Sequence, residues 1–128
     1  MINKAILKEC GKEGFNENEL YRAYKTFFGT LSSESRLRII NLLRKGKKNV
    51  AEIIADLNKD QTSVSHDLAR LKKCGFIVFE HKGKFRYYEV NETTITPIMK
   101  MIEKHMSKYC IHILRSMKEE RRQHGTAE

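Results

Sequence analysis

Five polar side chains, Gln61, Thr62, Ser63, Ser65 and His66, stand within six consecutive positions, and Arg70, Lys72 and Lys73 follow closely. An amide can pair with adenine through two hydrogen bonds, and hydroxyl or imidazole groups suit base edges and phosphate oxygens. Short side chains also let a helix backbone approach a groove closely. The cations suit phosphate, as does a free helix N-terminus. Farther on, Lys82, Lys84 and Arg86 repeat the cationic theme beside His81. Taken singly, each hydroxyl reads equally well as a cap or a surface group. Their arrangement on one segment with the cations points to duplex nucleic acid.

These groups need elements to hold them. Asp60 suits an N-cap, Val64, Leu68, Leu71 and Cys74 supply an inner helix face, and Gly75 suits the residue just past the end. A shorter helix precedes it: Asn49 and Glu52 have capping-box spacing, Val50, Ile53, Ile54 and Leu57 line one side, and Asn58 ends it. Two strands follow, Phe76–Glu80 and Phe85–Val90, joined by a turn over His81–Lys84 in which Gly83 permits a positive φ. Two helices followed by a hairpin read as a helix-turn-helix with a wing. The wing cations position on phosphate or in the minor groove rather than specify sequence. Arg38, Lys47 and Lys48 are further cations for the flanking backbone, whereas Arg36 reads as a structural partner of an acidic side chain.

The remaining periodicity frames this reader. A first helix starting near Asn16 carries Leu20, Ala23, Tyr24, Phe27, Phe28 and Leu31 on one face, and a second starts at Ser33 with Leu37, Ile39, Ile40, Leu42 and Leu43. Before them, Gly11 and Gly14 separate Ala5-Ile6-Leu7 from the first helix. A last helix of roughly 20 residues is expected, capped by Thr96 with Pro97 at its first position. Ile98, Met99, Ile102, His105, Met106, Tyr109, Ile113 and Met117 form its stripe, which requires a partner. The expected fold is mainly α with a β-hairpin wing, a winged helix-turn-helix dimeric through its first and last helices. Residues 1–15 are an arm or short helix, 16–120 the DNA-binding and dimerisation domain, and 121–128 a flexible tail.

Composition agrees with one domain of 128 residues, 40% hydrophobic, with formal net charge +9. From Arg36 to Arg86 there are thirteen Lys/Arg against five Asp/Glu, a net of +8, so nearly all the excess sits on the proposed reader. No stretch resembles a signal peptide or approaches a membrane span, and Cys10, Cys74 and Cys110 do not make a disulfide scaffold. A cytoplasmic protein is expected, without membrane partner or cofactor. It carries no P-loop, dinucleotide fingerprint or zinc-protease pattern, which argues against an enzyme. The expected function is sequence-specific binding of double-stranded DNA by a homodimeric repressor. A two-fold axis would set two reading helices about 34 Å apart on an imperfect palindrome. Non-specific architectural DNA binding is the alternative, and a protein-interaction module a more distant one.

Over about residues 17–110 the chain resembles the ArsR/SmtB family of winged-helix repressors. The resemblance is carried by Leu31–Ile39, by Gln61-Thr62-Ser63-Val64-Ser65-His66-Asp67-Leu68 and by Leu71–Ile77, with the wing and Tyr87-Tyr88. It implies a cytoplasmic homodimer that leaves DNA on a metal, metalloid or redox signal. The thiolate site of some members falls on Asn49-Val50-Ala51, which offers no thiolate. The zinc site of others falls on Glu92, Thr94, His105 and Lys108, of which only Glu92 and His105 are suitable ligands. No metal site is therefore expected. Cys10, Cys110 and Cys74 remain as redox candidates; another metal, an organic ligand, a protein partner and no effector at all stay open beside them.

Overall fold

A computed structural model describes residues 2–125 of the chain. It divides into two compact units, Met1–Val90 and Asn91–Glu128. The first contains α1 (Lys4–Gly11), α2 (Glu17–Leu31), α3 (Glu34–Leu43), β1 (Lys48–Asn49), α4 (Val50–Leu57), α5 (Gln61–Lys73), β2 (Ile77–Lys82) and β3 (Phe85–Val90). Helix starts follow local chemistry. The side chains of Asn16, Ser33, Asn49 and Asp60 each accept an amide hydrogen bond at the start of α2, α3, α4 and α5, with reciprocal capping boxes at Asn16/Glu19 and Asn49/Glu52. Asn58 closes α4 at φ 51°, and Gly75 leaves α5 at φ 77°.

The core of this unit comes from α3, α4, α5 and the sheet. Ile39, Ile40, Leu43, Ile53, Val64, Leu68, Leu71, Phe76, Ile77 and Val90 are essentially solvent-free. Each such aliphatic side chain stabilises the fold by about 1.5–3 kcal/mol relative to exposure. Phe27 fastens α2 to this core, its ring 4.9 Å from that of Phe76.

The sheet has three antiparallel strands in the order β1-β3-β2. Sequence reading missed β1, two residues whose pairing with Tyr87 and Tyr88 is non-local. The hairpin is also tighter than expected: His81 and Lys82 belong to β2, Lys82 pairs with Phe85, and only Gly83-Lys84 remain as the loop. Gly83 at φ 61° supplies the positive angle that a two-residue turn demands.

The second unit is one long helical rod: α6 (Ile95–His105), a π-helical turn (Met106–Cys110) and α7 (Ile111–Gln123). It begins one residue before the expected cap at Thr96. The N-cap position is Thr94, whose side chain makes no capping bond; just upstream, Asn91 accepts the Thr94 amide on its side chain and the Ile95 amide on its carbonyl. Pro97 is therefore third in the helix, where its missing N–H is still harmless. The π turn widens the helix and breaks the single stripe in phase. Cys110 and Ile111 are half-buried, whereas Tyr109 and Ile113 are 62% and 61% exposed. Helix continues to Gln123, into the segment expected as a tail; residues 126–128 of that segment lie outside the described residues. Among the described residues, no helix is long and apolar enough to cross a membrane.

Candidate nucleic-acid interface

Helix α5 presents three sides. Val64, Leu68 and Leu71 are buried, and Thr62, Ser65, His66, Ala69 and Lys73 are exposed away from them. Gln61 is exposed at the first turn, and Ser63 is half-buried where its amide donates to Asp60. The exposed face thus carries small or hydrogen-bonding groups near its N-terminal end and a cation near its C-terminal end.

One flank of α5 is tied to the α2–α3 corner. Ser35 Oγ donates to Asp67 Oδ2, and Arg36 Nη1 lies 3.4 Å from Asp67 Oδ1. The same guanidinium donates to the carbonyls of Thr30 (2.8 Å) and Gly29 (3.2 Å). Arg36 is thus the structural partner expected of it. Arg70, grouped in the sequence with phosphate-contacting cations, sends its Nε–H to Thr30 Oγ1 at 3.1 Å.

The other flank meets the wing. Lys72 Nζ stands 4.1 Å from the centre of the Phe79 ring, and the Arg86 guanidinium 5.0 Å from the same centre. His81 packs edge-on against Phe79 at 5.4 Å. Phe79 therefore joins reading helix and wing, a role invisible in sequence because its partners come from two other elements. Lys82 and Lys84 lie near the tip, 5.9 Å and 5.8 Å from the rings of Tyr87 and Phe85. Gln61, Lys84 and Arg86 share a recess of ≈ 420 Å³ with the first turn of α4. Loop closure thus brings together polar and cationic groups that lie far apart in sequence.

Three expected flanking cations are engaged within the chain. Arg38 pairs with Glu34 at 2.8 Å, Lys47 with Glu80 at 2.7 Å and Glu89 at 3.8 Å, and Lys48 with Asp56 at 2.8 Å. The hydrogen bond from Lys47 holds Glu80 below the ordinary carboxylate range and raises the Lys47 pKa in return. Asp56 raises Lys48 in the same way, and Arg38 lowers Glu34. The Arg38 and Lys47 pairs are exposed and weak, whereas Lys48 is half-buried.

A family model described as "Bacterial regulatory protein, arsR family" matches residues 33–78, from the cap of α3 into β2. An HTH-type transcriptional regulator of Methanocaldococcus jannaschii is 30% identical over 86 residues, covering 66% of this chain and 97% of the relative. The chain belongs to the ArsR family. The transcriptional repressor SdpR of Bacillus subtilis is 34% identical over 68 residues, 53% of this chain and 76% of that one. A homodimeric winged helix-turn-helix domain from Mycobacterium bovis shares the fold, with TM-score 0.68 at 20% identity over 73% of this chain and 86% of that one. This ArsR-family protein is accordingly a DNA-binding transcriptional regulator built on a winged helix-turn-helix, and not an enzyme.

The sensor positions of the family are differently furnished here. The Asn49 side chain is committed to capping α4. At the zinc positions Thr94 and Lys108 supply a hydroxyl and an ammonium, and His105 packs on Tyr109 with ring centres 4.9 Å apart. That donor set does not fit zinc, and among the described residues no three His, Cys, Asp or Glu side chains gather into a metal-binding group. The three cysteines are free thiols. Cys10 borders an apolar groove beside Phe15 and Leu20, and Cys74 Sγ lies 3.3 Å from Thr30 Oγ1.

Proposed function

We propose that this ArsR-family regulator is a homodimeric repressor that reads an imperfect palindrome in double-stranded DNA in the cytoplasm. In this reading the outer face of α5 enters the major groove. Gln61, Thr62, Ser63, Ser65 and His66 address base edges and nearby phosphates, and Lys73 and the rim residue Arg70 address the backbone. Lys82, Lys84 and Arg86 of the wing hold the flanking phosphates.

The observation that carries the proposal is the pairing of this reading face with apolar side chains left largely exposed on α2 and, separately, on the last helix. Tyr21, Tyr24 and Phe28 of α2 are 50%, 47% and 60% exposed, and Tyr109, Ile113, Leu114 and Met117 of the last helix are 52–62% exposed. Clustered exposed aromatic and aliphatic side chains of this kind suit a second copy of the chain. SdpR being a repressor and the Mycobacterium bovis domain being homodimeric support the same reading.

Footprinting on the DNA upstream of the protein's own gene, with the protein-to-duplex ratio from sedimentation, tests the proposal. A protected pair of inverted half-sites about 10 base pairs apart, bound by two chains, is the expected result. Protection without sequence boundaries would favour architectural binding instead.

A further inference from the structure

Thr30 is the only buried polar residue among the described residues, at 0% exposure in the last turn of α2. Its hydroxyl has three neighbours: the Thr26 carbonyl at 2.9 Å, Arg70 Nε at 3.1 Å and Cys74 Sγ at 3.3 Å. A hydroxyl has one hydrogen and two lone pairs. The carbonyl can only accept, so Thr30 donates to it. The guanidinium can only donate, so Arg70 takes one lone pair, which leaves the other for the Cys74 S–H. The backbone of the same turn is held as well, because Arg36 donates to the Thr30 and Gly29 carbonyls while binding Asp67. Thus Asp67, Arg70 and Cys74, one flank of the reading helix, all converge on the end of the helix that carries the exposed aromatic face.

We infer that Thr30 is a positioning residue that fixes the angle of the reading helix relative to the dimer-forming helix, and so sets the half-site spacing the regulator accepts. The inference rests on the homodimer proposed above. A buried hydroxyl saturated by three partners admits one arrangement of α2 against α5; without it, Arg70 is free to turn to solvent and that flank of α5 loses its register. Base contacts made by α5 itself do not involve Thr30. The defect should therefore appear in spacing rather than in half-site sequence.

The test begins with a palindromic duplex selected from a random pool by the wild-type protein. Affinities are then measured for that duplex and for one with a base pair inserted at its centre, which turns one half-site by about 34° and moves it about 3.4 Å. Wild type should lose about thirtyfold or more on insertion, within the range of other operator defects. Thr30→Val, which keeps the buried volume, should lose about threefold or less, and Thr30→Ser, which keeps the hydroxyl, should behave as wild type. Arg70→Lys, which keeps the charge but removes the Nε donor, should also relax spacing, and it serves if Thr30→Val fails to fold. Variants that discriminate spacing as sharply as wild type would overturn the role of Thr30 and leave the dimer standing. A wild-type protein indifferent to spacing would overturn the two-fold reading and this inference together.

Discussion

Helices α5 and α2 are similar in length but differently sheltered. Helix α5 buries Val64, Leu68 and Leu71 to 2% exposure or less. Helix α2 buries only Thr30, although it carries Tyr21, Tyr24, Phe27 and Phe28, and α7 buries nothing. The reader is stabilised from within its own unit, where α3, α4 and the sheet close over its inner face. On α2, by contrast, Tyr21, Tyr24 and Phe28 stay about half exposed, although Phe27 meets the core at Phe76 and the N-terminal Ile2 and Ile6 border the same groove. The reader should therefore behave as the protein's own core, whereas α2 and α7 should owe much of their stability to a partner.

The contrast is broken most directly by emptying the core behind the reader. Leu71→Ala should cost about 2–5 kcal/mol, because the side chain is wholly enclosed and its removal leaves a cavity. Urea unfolding should show this loss at every protein concentration. Phe28→Ser, on the unsheltered face, should leave the core intact but abolish the dimer. Its melting temperature should no longer rise with protein concentration, and operator affinity should fall about a hundredfold as bivalent binding is lost. If Phe28→Ser were as damaging to a dilute sample as Leu71→Ala, the two helices would not differ as stated.

Smaller effects sharpen the division within the reader. Gln61→Ala should cost about 1–3 kcal/mol of operator binding and relax preference at one base pair, read from a panel of substituted duplexes. Lys84→Ala at the wing tip should weaken all duplexes alike and lower the salt slope of log K by about one. The smallest change is expected at Glu80. Its pKa is lowered in the fold by Lys47, so its contribution is present above the ordinary carboxylate range and disappears as pH falls through the folded value. Glu80→Gln should therefore lower stability slightly near neutrality, where the pair is intact, and make no difference once pH has fallen through the folded value, so that the acid dependence becomes slightly shallower.

What could be read from sequence was local. Ser33, Asn49, Asp60 and Gly75 mark helix ends through groups within three or four residues, and the 3.6-residue spacing of Val64, Leu68 and Leu71 identifies the face that turns inward. The features that escaped are settled by distant partners. Strand β1 exists because Lys48 and Asn49 meet Tyr88 and Tyr87, and the cations Lys47 and Lys48 find acids on other elements. Thr30 reads as an ordinary residue in a helix, yet it gathers side chains 40 and 44 positions away. The π turn at Met106–Cys110 has no Gly or Pro to announce it, and it turns Tyr109 and Ile113 away from the line an unbroken helix would give. The polar face of α5 was legible residue by residue; its union with the wing through Phe79 was not, because that contact needs the hairpin folded back onto the helix.

The most direct measurement is fluorescence anisotropy with the duplex immediately upstream of the protein's own gene and a scrambled duplex of equal length, at about 150 mM salt, where non-specific phosphate binding is weak. Selective reading by the α5 face requires the upstream duplex to bind about a thousandfold tighter or more, and requires Gln61→Ala to erode that ratio. Equal binding of the two duplexes, lost alike as salt rises, would contradict it.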